Sequence, residues 1–429
     1  MDGRTISPMP PVAATVGLPW DVAVDDPIAA LSQARHDLGD TFVVDSGDER
    51  YLFTFSPVGV ASFYGLPEDR ASKGVADWRM LRRKLPDEIF VGRRTLPHQL
   101  FGRDDVATYL ANVEDALEST VDELGDAGEF DVFELTRRLG HRVGLASWGG
   151  PGCARGARFD RLAPAFDALD GSESFVHPDA MAAVAATGKS TERAALAVVV
   201  EELGLAWREL PGAEPDHALF ARVAAAWEDV SGNERAVGVA SDVALIHVAS
   251  MSNLFAALGW MLIDLLEHPD ESARVGAGDR ARAEVCALES TRLAQRSIMA
   301  RYVVQPVTID VGNAVHDVGV GATIATLLPL TNTSAAPGLE SWDPDRWNRR
   351  RLADASSLAA VELVTAFGHG RHSCPAQPFS LATMCVASTR LLAAFDMEPG
   401  WVGHPRPVRN QIGGVARAAG RCPVRYRRR

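Results

Sequence analysis

A chain of 429 residues with 47% apolar and 23% charged side chains buries a sizeable core, and nothing in it reads as disordered beyond its ends. The net charge of −13 disfavours nucleic acid, whose binding needs clustered Lys and Arg against phosphates, and the one basic run, Arg427-Arg428-Arg429, reads as a solvated terminus. Cysteines at 153, 286, 374, 385 and 422 are scattered and odd in number, which fits a reducing compartment and argues against a disulfide framework. The first residues lack a signal pattern and no run of about 18 apolar residues occurs, so the expectation is a cytoplasmic protein with no membrane contact.

In chain order, periodicity predicts a helix over residues 26–38, then strands over 41–44 and 51–55 around Asp45-Ser46-Gly47-Asp48. Val106, Tyr109, Leu110, Val113, Leu117 and Val121 predict an amphipathic helix over 106–124, with another over 130–143. The Ala-rich stretch 180–209 is predicted helical. Within it, Thr187-Gly188-Lys189-Ser190 lacks the earlier glycine of a phosphate loop, Ala183 standing there, and no strand precedes it. Residues 240–268 are apolar around most of the circumference, as for a helix running through the centre of a domain, and His268-Pro269 stops it. A helix from Gly278 to about 297, short strands over 303–311 and 323–327, a Ser/Ala/Pro-rich meander over 332–338 and a buried helix over 377–394 complete the chain. No repeat is visible and no linker divides it.

The segment Phe367-Gly368-His369-Gly370-Arg371-His372-Ser373-Cys374-Pro375-Ala376 presents one thiol on a glycine-punctuated loop that feeds directly into that last helix. A cysteine sulfur there can ligate haem iron axially and push electron density onto it, with Gly368 and Gly370 letting backbone approach a flat macrocycle. The competing readings are a lone structural cysteine, or zinc on His369, His372 and Cys374, which falls short of a closed zinc site's ligand set with no Cys-x-x-Cys pair in the chain. The ten residues resemble the cysteine loop of the cytochrome P450 superfamily, Phe-x-x-Gly-x-(Arg/His)-x-Cys-x-Gly, with Ala376 in place of the last glycine. The resemblance implies a mostly α fold with small β-sheets, one P450 domain over 1–429, of the soluble bacterial kind. It also implies haem b with Cys374 as the metal ligand, Phe367, Gly368 and Ala376 around it, and His372 on a propionate. The implied activity is oxidation of a small organic molecule with O2 and electrons from a ferredoxin and ferredoxin reductase, in specialised metabolism such as antibiotic biosynthesis.

Supporting constellations follow from the same resemblance. Glu289 and Arg292 are three apart on one helix face, and Trp342-Asp343-Pro344-Asp345-Arg346-Trp347 looks like the family's meander, which implies a buried triad of Glu289, Arg292 and Arg346. Arg301 stands where the family places a propionate-binding arginine. Arg94 lies four residues after Phe90 and matches a second propionate arginine, with Arg93 or His98 as substitutes. On the central helix, Ala249-Ser250-Met251-Ser252-Asn253 aligns with the family's Ala-Gly-x-(Asp/Glu)-Thr, so Ser252 and Asn253 take the places of the catalytic acid and alcohol that relay protons. Neither is an acid near neutral pH. The implied substrate pocket includes Ala249, Arg296, Ser297, Met299 and Ile412, with Arg296 on a propionate or on a substrate carboxylate. The departures at Ser252 and Asn253 keep open a peroxide-driven, nitric-oxide-dependent, isomerase or dehydratase activity, and a non-catalytic haem protein is the remaining alternative.

Overall fold

The computed structural model describes residues 9–90, 92, 95, 97–170, 178–209 and 219–429. Its spine is the helix Gly232–Glu267, 36 residues long, ended by the extended His268 before Pro269. Among the described residues it is the one helix long and apolar enough to cross a membrane, and 78% of its most apolar window is buried inside the protein. Its apolarity is used on neighbouring helices: Val132–Trp148 on one side, Ser190–Glu209, Arg280–Ala294 and Gln377–Ala394 on the others. The approach to Val132–Trp148 is close because two glycines face it. A Cβ at Gly140 would lie 2.6 Å from the Phe255 ring, and one at Gly144 2.7 Å from the Met251 sulfur.

A buried polar chain crosses the same contact. His141 lies 3.0 Å from His247 Nε2 through Nδ1 and 2.9 Å from Asp167 Oδ1 through Nε2. With Asp167 accepting from His141 Nε2–H, His141 Nδ1 accepts from His247 Nε2–H, the tautomers being assigned from this network. Burial holds the His247 pKa well below the usual histidine range, His141 adding to the effect.

A five-stranded sheet in the order Thr41–Ser46, Glu49–Thr54, Thr323–Leu327, Ile298–Val303, Ala71–Ser72 flanks the helices. Only the Glu49–Thr54 to Thr323–Leu327 pairing in it is parallel. The sequence departs from its own local signals in three places. The helix before Ile298–Val303 stops at Ala294, and the strand expected over 303–311 is two strands, Ile298–Val303 and Val307–Asp310, separated at Pro306, which has no N–H for a ladder. The stretch 180–209 is two helices, Pro178–Ala186 and Ser190–Glu209, joined by a turn with Gly188 and Lys189 both at positive φ. Lys189 Nζ donates to the carbonyls of Arg82 and Leu85, which gives the phosphate-loop lookalike a structural use. Finally, Pro423–Arg428 is the central strand of a three-stranded sheet with Phe395–Pro399 and Ala127–Asp131, so the basic run is laddered backbone whose side chains stay exposed to solvent.

The tight glycine contact generates a stability prediction. Gly140→Ala should destabilise the protein by roughly 1–3 kcal/mol through overpacking against Phe255, read as a lower urea midpoint. An unchanged midpoint would mean the two helices separate freely.

Candidate active site

The site is built from a buried carboxylate outward. Glu289 and Arg292 have no exposed surface and form a two-point pair, Arg292 Nη2 to Oε1 at 2.7 Å and Nε to Oε2 at 2.8 Å. Arg346 Nε adds 2.7 Å to Oε1, Trp347 Nε1 2.9 Å to Oε2 and the Asp343 N–H 3.1 Å. Arg292 Nη1 then donates to the Asn332 carbonyl at 2.6 Å. The Asn332 amide donates to the carbonyls of Arg292 and Thr365 and accepts from the Thr365 N–H. Thr365 Oγ1 donates to the Gly368 carbonyl at 3.1 Å, inside the cysteine loop. The loop is therefore hydrogen-bonded to the buried pair through two residues, Asn332 and Thr365.

Within the loop the Cys374 N–H donates to the Phe367 carbonyl at 2.7 Å. Gly368 has φ +80°, and a Cβ there would sit 2.6 Å from the His372 carbonyl oxygen, so the glycine serves the loop's own turn. Ala376 has φ −85°, a conformation any residue adopts, which is why alanine replaces the family's glycine without strain. Burial pushes the Cys374 thiol pKa up, while the peptide N–H groups of Ala376 and Gln377 and the Lys73 ammonium pull it down.

Cys374 lines an inner cavity of about 460 Å³ with Phe367, Gly368, His372 and Ala376 on its side and Ala249, Ser250, Asn253 and Ala257 of the central helix among the residues opposite. A second, outer cavity of about 360 Å³ shares Lys73, Ala249, Asn253, Ser297, Met299 and Val415 with it. Ile412 and Ser252 line the outer one alone. Asn253 accepts the Val415 N–H through Oδ1 at 2.9 Å, which ties the central helix to the turn above the cavities. Ser250, at the family's glycine position, donates back to the Ile246 carbonyl at 2.6 Å.

Arg296 is a correction. Its Nε donates to the Gln411 carbonyl at 2.7 Å and Nη2 to that of Arg409 at 2.6 Å, and it lines neither cavity. Carbonyl oxygens are its partners; burial lowers its pKa to about 10. Arg301 is buried against the sheet, its Nη groups donating to the carbonyls of Leu66, Ala71 and Tyr64, with Nε buried and unpartnered. It does not line the inner cavity. His372 does, and burial together with the nearby Arg301 charge lowers its pKa against the opposing Glu68. His369 turns away, contacting the Val364 carbonyl and the Tyr64 ring, and among the described residues no three His, Cys, Asp or Glu side chains converge as a metal cluster, which removes the zinc reading. Arg93, Arg94 and the His98 side chain lie outside the described residues. Sequence reasoning missed Lys73, a cation lining both cavities and paired with Asp77, because nothing local marks it.

No family model matches the chain. Its fold is that of the retinoic-acid-bound cyanobacterial CYP120A1, with a TM-score of 0.72 and 16% identity over 99% of this chain and 100% of that one. In sequence it is similar to the 24-hydroxycholesterol 7-alpha-hydroxylase of Homo sapiens, 26% identical over 208 residues that span 43% of each protein. It is also 28% identical over 117 residues to the cytochrome P450 monooxygenase cdmJ of Talaromyces verruculosus, covering 26% of this chain and 22% of that protein. In fold and in these stretches of sequence the chain is similar to cytochromes P450. The matched stretches span less than half the length of these curated relatives.

The residues present fit the haem that a P450 implies. The cavity volume falls within the ~300–1,000 Å³ of small-molecule and cofactor sites, and among the described residues Cys374 is the one thiol that lines it. His372 and Lys73 supply donors at its edge, with the orphaned Arg301 N–H among the buried groups behind them.

Glu289→Gln should strand Arg292 and Arg346 in the interior, destabilising the protein by about 3–5 kcal/mol and giving little haem per protein by absorbance. A normal melting temperature and haem content in that variant would remove the carboxylate from this role.

Proposed function

We propose that the chain is a haem-thiolate monooxygenase that binds haem b through Cys374 and oxidises a small organic molecule with O2. In this reading its electrons come from a ferredoxin and ferredoxin reductase, it works in the cytoplasm, and its product belongs to specialised metabolism. The observation that supports it most is the thiol of Cys374 lining the inner cavity on a loop anchored to the Glu289 pair. A thiolate-bound haem supplies O–O bond cleavage when present.

The chain's own residues divide the remaining work. The N–H groups of Ala376 and Gln377 stabilise negative charge on sulfur. His372 and Lys73 would hold the haem carboxylates at the cavity edge, and Arg301 would give them a positive background. Ala249, Ser297 and Met299 shape the inner end of the substrate space, and Ile412 its roof. Asn253 Nδ2 and the Ser250 and Ser252 hydroxyls orient water in the cavities, because an amide and hydroxyls hold water without releasing a proton at neutral pH. Arg296 fixes the 409–414 turn and acts on substrate only through the shape of that roof.

One observation favours a second reading. Among the described residues lining the inner cavity there is no Asp or Glu, and Asn253 Oδ1 is already occupied by Val415. Use of hydrogen peroxide, which carries its own protons and both oxidising equivalents, suits such a cavity.

Three measurements test these readings. Reduced protein under carbon monoxide should show the strongly red-shifted Soret band of thiolate ligation and Cys374→Ser should lose it; a normal band in that variant overturns the ligand assignment. Asn253→Ala should lower product per electron consumed and release peroxide, since a positioned proton path is worth roughly 10²–10⁴ in rate. Unchanged coupling removes the relay role, and efficient turnover of the parent protein with peroxide alone makes the second reading the better one.

A further inference from the structure

Asp170 ends the helix Gly156–Asp170 and lines the outer cavity. Among the described residues its carboxyl takes part in no hydrogen bond or ion pair, whereas the other charged groups named around it are engaged. Lys73, across the cavity, is paired with Asp77. Lys84 is bound to Glu192 at 3.0 Å and to the Ala168 carbonyl at 2.9 Å. Asp167 holds His141, and Arg417, the remaining cation of the lining, has a partner of its own. A carboxylate left in a confined cavity without a partner is costly, and a cation is what offsets that cost. Burial accordingly pushes the Asp170 carboxyl pKa up to about 6, with His141, Arg417 and Lys84 opposing and Asp167 adding to the rise.

The rest of the lining states what the cation is attached to. Met80, Leu81, Val248, Phe255, Ile298 and Ile412 give the outer cavity apolar walls, and it passes into the inner one through Ala249, Ser297 and Met299. We propose that Asp170 anchors a cationic nitrogen, so that the molecule oxidised beside Cys374 is an apolar body carrying an ammonium, guanidinium or quaternary ammonium group. This rests on the monooxygenase reading only for what happens at the inner end; the anchor itself is a binding property of the outer cavity.

The test uses phenyltrimethylammonium and its carbon isostere tert-butylbenzene, neither of which ligates iron. Binding to the protein as purified is measured by calorimetry, while the reduced carbon monoxide spectrum reports separately whether the haem-thiolate reading holds. The cation should bind about tenfold to a hundredfold tighter than the isostere at pH 7.5, as for one charge-assisted contact. Asp170→Asn should abolish that preference and Asp170→Glu should keep it. In the parent the preference should fall as pH drops through about 6, where the carboxylate takes up a proton, while tert-butylbenzene affinity stays constant. Equal affinity for the two probes in the parent, or a preference that survives Asp170→Asn, overturns the proposal. Should Asp170→Asn fail to fold, the parent's probe ratio and its pH course decide alone. A normal thiolate spectrum with no cation preference removes the anchor and leaves the monooxygenase; a cation preference without that spectrum does the reverse.

Discussion

The carboxylate of Glu289 is the point on which the thiol's position depends. Two guanidinium groups, an indole N–H and a peptide N–H converge on its two oxygens, so a charge with no exposed surface has its acceptor sites filled. Removing charges from water costs several kcal/mol per ion, and only a satisfied arrangement of this kind recovers that cost. What the arrangement secures is placement: residues near 289, 332, 343–347 and 365–368 are held to one another by side chain to backbone hydrogen bonds. A loop with positive φ at Gly368 and Gly370 has little regular structure to fix it, and this network supplies the missing constraint.

Electrostatics at the thiol is set by competition. Burial favours the neutral form of Cys374, and the N–H groups of Ala376 and Gln377 with Lys73 favour the thiolate. The donors are graded by depth: Lys73 and His372 reach the inner cavity, whereas Arg301 is committed to three carbonyls of residues 64–71. A guanidinium bonded to backbone in that way acts on the cavity through its field and its remaining N–H groups.

The roof of the two cavities depends on exchanges between the central helix and the turn 409–415. Asn253 accepts the Val415 N–H, and Gly414, at φ +62°, has its missing Cβ position 2.2 Å from Asn253 Oδ1. Arg296 clamps the same turn from the other side. A threonine at 253 has no carbonyl oxygen to offer that amide, so the asparagine and the glycine belong to one arrangement. The position that departs from the family's relay pattern thus carries a packing duty as well as a place in the cavity.

What the sequence determined alone is whatever depends on neighbours a few residues away. The apolar circumference of 240–268, the amphipathic period of 106–124 and the glycine-flanked thiol before 377–394 could be read because helical period and turn chemistry are local. The family motif around Cys374 and the Glu289, Arg292 spacing were legible for the same reason. Tertiary structure decided the rest. Arg296 could be aimed at a carboxylate or at carbonyls; the nearness of residues 409–411, more than a hundred residues later, settled it. Arg427 and Arg428 read as a solvated terminus, and pairing with 127 and with 395–396 added a central strand beneath their exposed side chains. Lys73 and Asp170 carry no local signal at all, because a cavity is a surface assembled from segments that meet only on folding, and which charges inside it find partners is fixed by that meeting.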